Sequence, residues 1–367
     1  MTIRKIDAIP VRMPMRSFTD AYSAYSVNQF VLIRVENDDG KIGYGEAPCT
    51  VTVGFYGETL ESTTIAIRNY IAPALRGADP LNVRRTISIV NKTHGAAFLA
   101  KTGIDIALHD LAGKILNVPT STLLGGAQRT NIPVASEIGI VEPEQAAKES
   151  IRLVELGFRV IKLKAGNNAE TDVKTAKAVR DQVGDEVELR LDPNAGWSRY
   201  ESLKAIKELA KCDLAYVEQP LPRWDLEGLA YLRKTTGVPI MVDESVWNPH
   251  DVIKVVEAKA ADLINIKITK AGGLKNSIDI YTTAQASGIP CIVGTELEAC
   301  VAAPAKLQLA SSFEDLPFAV EFTELAYQNM LLDKPLKIEN GCLHLPGGPG
   351  SGLYPDMKSL EQHKVAM

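Results

Sequence analysis

Three carboxylates close consecutive short apolar runs: Asp192 follows Leu189–Leu191, Glu218 follows Ala215–Val217 and Asp243 follows Ile240–Val242. They stand 26 and 25 residues apart, about the length that one strand, one crossover helix and two loops require. At that spacing the three side chains are expected in one mouth, at one end of one sheet. Carboxylates crowded there repel one another and lose hydration, a cost of several kcal/mol each unless something compensates. A divalent cation would compensate. All-oxygen ligation without histidine or cysteine favours Mg²⁺ or Mn²⁺ over Zn²⁺, one ion per subunit. Capping of the following helix accounts well for any one of these carboxylates and poorly for all three.

Lysines flank the triad in the same register. Lys162 and Lys164, in Lys162-Leu163-Lys164, project to one side of a strand because side chains alternate along it. An exposed Lys-x-Lys edge is the plain alternative. If both enter the mouth, each ammonium disfavours the charged form of the other and partial burial adds to this. One of the pair could then act as a base near neutral pH. Lys267 closes a later run, 24 residues after Asp243. In a ring of eight strands the second and sixth are opposite, so Lys164 and Lys267 are expected to face each other across the metal. Two opposed bases suit removal or delivery of a proton on the carbon next to a carboxylate.

Positioning such groups takes a regular scaffold. Short apolar runs recur at Val134–Ile140, Val160–Leu163, Leu189–Leu191, Ala215–Val217, Ile240–Val242, Leu263–Ile268, Cys291–Val293 and Phe318–Val320, with helical segments between them. Pro143 to Leu156 shows the pattern: Pro143 suits the first helical position, Ala147, Ile151 and Val154 share a face, and Gly157 suits the residue after the cap. Eight parallel strands with right-handed crossovers close into an α/β barrel of the TIM type, with catalytic groups at the C-terminal strand ends. Upstream, Phe30–Val35 and Ile42–Glu46 flank Asn37-Asp38-Asp39-Gly40 and read as a hairpin. Helical stretches follow around 58–77, 81–92 and 96–117. The expected organisation is an α+β domain over 1–125, a barrel over 126–335, and a C-terminal segment, 336–367, packing back on the first domain.

With 46% hydrophobic and 23% charged residues the chain has the balance of a globular protein. A formal net charge of -5 offers no positive field for phosphate backbones or anionic lipids, so neither nucleic acid nor membrane is an expected partner. No stretch reaches the ~18 apolar residues of a membrane span and the N-terminus has no apolar leader, so the cytoplasm is the expected location. The five cysteines, an odd number without a Cys-x-x-Cys pair, read as reduced, mostly buried thiols.

The Lys-x-Lys pair, the Asp-x-Asn, Glu-Gln-Pro and Asp-Glu-Ser strand ends, and the lysine before Ala271-Gly272-Gly273 resemble the muconate lactonizing enzyme subgroup of the enolase superfamily. Gly43-Tyr44-Gly45-Glu46 and Gly348-Pro349-Gly350-Ser351-Gly352 extend the resemblance over nearly the whole chain. It implies a capping domain over a (β/α)7β barrel, Asp192, Glu218 and Asp243 as metal ligands, Lys164 and Lys267 as the acid/base pair, Lys162 as a modulator of Lys164, and Glu244 behind Asp243. It further implies substrate contacts from Tyr56, Asn194, Thr295 and Glu324, a small carboxylate substrate, and a homo-oligomer. Val293-Gly294-Thr295-Glu296 lacks the histidine of the mandelate racemase branch. Thr323-Glu324-Leu325 and Phe55-Tyr56-Gly57 resemble muconate cycloisomerases, and the Asp-x-Asp of dipeptide epimerases is absent from the eighth strand. The leading expectation is therefore cycloisomerisation of a muconate-like dicarboxylate. The alternatives are a racemase or epimerase of an amino-acid derivative or dipeptide, a succinylbenzoate synthase, a dehydratase, or a non-catalytic binding protein. The loops around 15–30 and 50–58 are expected to grip the distal end of the substrate.

Overall fold

The computed structural model describes residues 1–49 and 53–367. Its N-terminal part is an antiparallel sheet of β1 (Ile3–Thr19), β2 (Ala24–Asn37) and β3 (Ile42–Pro48) in that order. The unbroken apolar run of β2 is buried on both faces, and β2 and β3 form the expected hairpin, with Ile33 opposite Gly45. The segment around 15–30, expected as a loop, is the far end of a second hairpin: β1 and β2 remain paired out to Thr19 and Ala24. Its polar residues hide the strand pattern, and its tip is held by Asp20, which accepts hydrogen bonds from the Tyr22 and Ser23 amides and the Tyr25 hydroxyl. Of the other expected loop, 50–58, residues 50–52 lie outside the described residues.

Helix Phe98–Leu116 packs across this sheet, with Leu99–Gly113 buried. The fit explains the glycines of Gly43-Tyr44-Gly45-Glu46: a side chain at Gly45 would overlap the Gly103 carbonyl, and one at Gly43 the Ala107 carbonyl. Glu46 then reaches out of the sheet and accepts the backbone N–H groups of Ala299, Cys300 and Ala302, at 2.9, 2.7 and 3.0 Å.

Among the described residues, eight parallel strands follow: β4 (Asn131–Ile138), β5 (Val160–Lys164), β6 (Glu188–Asp192), β7 (Leu214–Glu218), β8 (Ile240–Val242), β9 (Leu263–Ile266), β10 (Cys291–Val293) and β11 (Val320–Glu321). They neighbour one another in chain order from β4 to β10, and β11 pairs with β4, bringing the last strand beside the first. The helices between them include Pro143–Glu155, Ala169–Val183 and Ala302–Ser312. On Pro143–Glu155 the buried face is Ala146, Ser150 and Leu153, one residue back from the expected Ala147, Ile151 and Val154. A serine in the buried stripe hides the true face, but its hydroxyl is satisfied by the Ala147 carbonyl at 2.7 Å.

The chain beyond β11 joins both halves. A hairpin of β12 (Ile338–Glu339) and β13 (Cys342–His344) adds antiparallel to the start of β4, so β4 begins earlier than its apolar run. Gly350, at φ +71°, passes so close to Asp110 that a side chain would strike its carboxylate. The last residues run along β1, where Arg12 N–H donates to the His363 carbonyl and Val365 N–H to the Pro10 carbonyl. All five cysteines are free thiols and all but Cys342 are buried.

Candidate active site

The charged residues singled out in the sequence converge at the C-terminal strand ends. Lys162 and Lys164 come from β5, Asp192 ends β6 and Glu218 ends β7; Asp243 and Lys267 are the residues just after β8 and β9. Lys267 thus lies one residue past its strand and opens a short helical turn, Ile268–Ala271.

Lys162 lies at the centre. It is fully buried, and its ammonium stands 2.7 Å from Glu321, 2.8 Å from Glu218, 3.1 Å from Asp192 and 3.6 Å from Glu137. Lys164 stands 2.7 Å from Asp192. Lys267 lies 3.0 Å from Asp243 and 3.2 Å from Glu296, and Lys270 lies 2.7 Å from Asp243.

This geometry corrects the expected electrostatics of the lysine pair. Burial pulls the Lys164 ammonium down, but Asp192 and Glu137 outweigh burial and the opposing push of Lys162 and Lys267, holding it above the ordinary lysine range. Burial is likewise outweighed at Lys162 by Asp192, Glu218, Glu321 and Glu137, and at Lys267 by Asp243 and Glu296. The expected mutual push of the two ammonium groups is present at Lys164 but is outweighed, because carboxylates surround the pair and are invisible from the Lys-x-Lys spacing alone.

The carboxylates divide. Against its burial, Lys162 and Lys164 hold Asp192 down at about 2. Glu218 is driven well above the carboxylate range by burial and by Asp192. Among the described residues, no three His, Cys, Asp or Glu side chains form a ready metal cage, because ammonium groups lie between the carboxylates. The donor chemistry nonetheless fits a hard cation. All donors are carboxylate oxygens, and Glu218 Oε2 and Asp243 Oδ2 are buried with no hydrogen-bond donor aligned on them, despite ammonium groups at 2.8 and 3.0 Å.

Above the charges lies a cavity of about 30 Å³, lined by Phe18, Asp20, Tyr22, Tyr25 and Phe55 from the N-terminal part and by Glu137, Lys164, Asn194, Lys267, Thr295, Glu296 and Leu297 from the barrel. Asn194 faces it with its side-chain oxygen unpartnered. The Thr295 hydroxyl is engaged, donating to Glu298 at 2.7 Å and accepting from Lys306 at 3.0 Å. Tyr56 does not line this cavity. Its ring packs in an adjoining aromatic groove, with centroid 5.7 Å from that of Trp247, while its hydroxyl lies against Glu296 behind the mouth; its neighbour Phe55 lines the cavity. Glu324 opens a 3-10 turn, Glu324–Ala326, and its side chain lies outside the described residues. Glu244 accepts from the Tyr22 hydroxyl at 3.2 Å and the Asn194 amide at 3.4 Å, tying the hairpin tip to the barrel. A larger cavity, about 630 Å³, abuts the outside of Phe18 and Glu137.

Several members of this cluster escaped the sequence reading. Glu321 follows the eighth apolar run just as Asp192, Glu218 and Asp243 follow theirs, and Glu137 is a charge inside the first run; both signals were present. Asn265, which donates to Glu218 at 2.8 Å, occupies an equivalent place inside the sixth run. Tyr22 falls in the segment around 15–30 that was expected to reach the substrate, without being singled out within it, whereas Glu296 lies on a connection and carried no signal of its own.

The N-terminal domain model of the mandelate racemase / muconate lactonizing enzyme family matches residues 3–125, and the enolase C-terminal domain-like model matches residues 145–359. The chain is 34% identical to the N-succinyl-L-Arg/Lys racemase of Bacillus cereus, over 100% of this chain and 98% of that protein. It superimposes on 2-chloromuconate cycloisomerase from Rhodococcus opacus 1CP with TM-score 0.97 at 31% identity, covering 100% of both chains. On the dipeptide epimerase of Enterococcus faecalis V583, a complex with Mg and L-Leu-L-Tyr, the TM-score is 0.90 at 30% identity, over 96% of this chain and 99% of that one. With its barrel, its capping sheet and these matches across both, the chain belongs to the enolase superfamily and is an isomerase of the muconate lactonizing enzyme-like subgroup.

Proposed function

We propose that the chain is a racemase or epimerase of an amino-acid derivative, moving the proton on the carbon next to a carboxylate between two lysines. The observation that carries this reading is that Lys164 and Lys267, from opposite strands of the ring, line the same small cavity. A substrate carbon between them meets one ammonium or amine on each face. Lys164 neutral and Lys267 charged, or the reverse, makes one the base and the other the acid, and the two exchange roles in the return direction. The lining disfavours the muconate-like dicarboxylate. Among the described residues around the cavity, the two lysines are the sole cations, and a second carboxylate would face Asp20, Glu137 and Glu296.

Asp192, Glu218 and Asp243 would hold Mg²⁺ or Mn²⁺, one per subunit, and that ion would offset the negative charge developing on the substrate carboxylate as the proton leaves. Lys162 keeps the buried carboxylates matched from below. Asn194 offers its free oxygen to the substrate, Thr295 and Glu324 are further contacts around the mouth, and Tyr56 stands behind Phe55 and Glu296 rather than in it. Tyr22 and Phe55 exclude water from above. In this reading the enzyme works in the cytoplasm as a homo-oligomer on a small carboxylate.

The test is proton exchange in D₂O with Mg²⁺ and enantiopure N-acyl amino acids and dipeptides. Wild type is expected to place deuterium on the α-carbon of both recovered substrate and product. Lys267→Ala should still exchange one enantiomer and Lys164→Ala the other, neither interconverting them. Lactone formation from a muconate, with deuterium on one face and residual turnover in Lys267→Ala, would establish the cycloisomerase instead.

A further inference from the structure

The two lysines that line the mouth are held unequally. Lys164 has one carboxylate within ion-pair distance among the described residues, Asp192 at 2.7 Å. Lys267 has Asp243 at 3.0 Å, and also Glu296 at 3.2 Å. The Phe55 ring lies 5.2 Å from the Lys267 ammonium. Asp192 and Asp243 are both among the three carboxylates proposed to hold the cation. Once committed there, they have less charge to offer a lysine, and Lys164 is left with Glu137, a carboxylate of the same mouth that makes no ion pair with it. Lys267 keeps two contacts that do not come from the cation-holding set. One is Glu296, three residues past β10, the strand beside β9, and the other is Phe55, from the N-terminal part.

We propose that Glu296 is a positioning residue for Lys267, holding its ammonium on one face of the substrate independently of Asp243. A lysine stem is long and freely rotating, and a proton-transfer group displaced by even an ångström loses much of its rate. Glu296 lines the mouth while most of its side chain is covered, with 13% exposed. It is thus close enough to anchor Lys267 and shielded enough for the pairing to outlast competition from water. Its catalytic consequence rests on the racemase reading; its effect on Lys267 does not.

Two measurements on the full-length, Mg²⁺-loaded protein separate these. In trace labelling with acetic anhydride, read by peptide mass spectrometry, Lys267 should acetylate several-fold less than Lys164 in wild type. Glu296→Ala should raise the Lys267-to-Lys164 ratio several-fold, and Glu296→Gln, whose amide oxygen still accepts a hydrogen bond, should fall between. A ratio unchanged by Glu296→Ala overturns the proposal. Should that variant fail to fold, Glu296→Gln against wild type decides in the same way. In the second measurement, Glu296→Ala should slow α-deuterium exchange of the enantiomer served by Lys267 by about tenfold or more, with the other enantiomer and KM within about twofold. Lys267→Ala identifies that enantiomer as the one it no longer exchanges. Equal slowing of both enantiomers overturns the positioning role. Absence of exchange in wild type, with the labelling contrast intact, refutes the racemase reading and leaves the positioning of Lys267 standing.

Discussion

At the residue scale, a buried charge cluster behaves according to what each member would leave behind. Lys162 touches four carboxylates and is fully buried. Lys162→Met should destabilise the protein by about 3–5 kcal/mol, the range for breaking a buried pair from one side. Chemical denaturation of the metal-free protein measures this, and a loss below about 1 kcal/mol would show that Lys162 does not neutralise the cluster. Glu218 presents the opposite case. Burial and Asp192 already disfavour its charge, so Glu218→Gln should leave the metal-free melting temperature unchanged or raise it. The same variant should lose most of the melting-temperature rise on adding Mg²⁺, since ligand-linked stabilisation scales with affinity. A Mg²⁺-induced rise equal to that of wild type would remove Glu218 from the ligand set.

At the scale of elements, the joint between the sheet and helix Phe98–Leu116 depends on backbone proximity. Gly45→Ala places a methyl group where the Gly103 carbonyl stands, and neither partner can yield as a flexible side chain would. A loss of about 1–3 kcal/mol is expected, the usual range for overpacking, and an unchanged denaturation midpoint would contradict the fit. Glu46 links the same sheet to the segment leading into helix Ala302–Ser312. Burial pushes its carboxyl up from 4.5 to about 7, against three backbone N–H donors that favour the charged form. Between those two values the folded protein holds a proton that the unfolded chain releases. The contribution of Glu46 is therefore fully present below about pH 4.5 and falls as the pH rises to about 7, by an amount on the order of 1–3 kcal/mol. The wild-type stability minus that of Glu46→Gln should decline across this window. A difference flat with pH would mean that Glu46 is ionised throughout.

At the scale of the whole molecule, the mouth is assembled from the N-terminal part and the barrel together. Phe18, Asp20, Tyr22, Tyr25 and Phe55 cover it from above, while Lys164, Asn194, Lys267 and Thr295 form its floor and walls. The barrel also takes a strand pairing from beyond residue 335, since β13 pairs with β4. A fragment spanning 126–335 would lose the covering residues and that pairing together. It should fold poorly and catalyse no α-exchange, because the reacting groups would stay in water. Exchange by this fragment at a rate near that of the full chain would show the covering residues to be dispensable.

The spacing of the strand ends was legible along the chain because a parallel barrel repeats one unit, and a repeated unit leaves a period that needs no knowledge of contacts. Asp192, Glu218 and Asp243 were found in this way, and Glu321 would have been had the eighth run been carried one residue further. The protonation of the lysines could not be read in this way. Whether Lys164 is pushed down by Lys162 or held up by Asp192 depends on how closely Asp192, from the next strand, approaches the two ammonium groups, 3.1 Å from Lys162 and 2.7 Å from Lys164, and Coulomb energies change steeply over such distances when water is excluded. The same limit hid Glu296, on the connection after β10, and the choice of Phe55 over Tyr56, neighbours on the short helix Val53–Tyr56, since which side chain faces the mouth is set by what the segment packs against. The fold, and the kinds of charge that meet in its mouth, follow from the order of residues along the chain. Which charge answers which emerges on folding, because that pairing is a matter of distance through space.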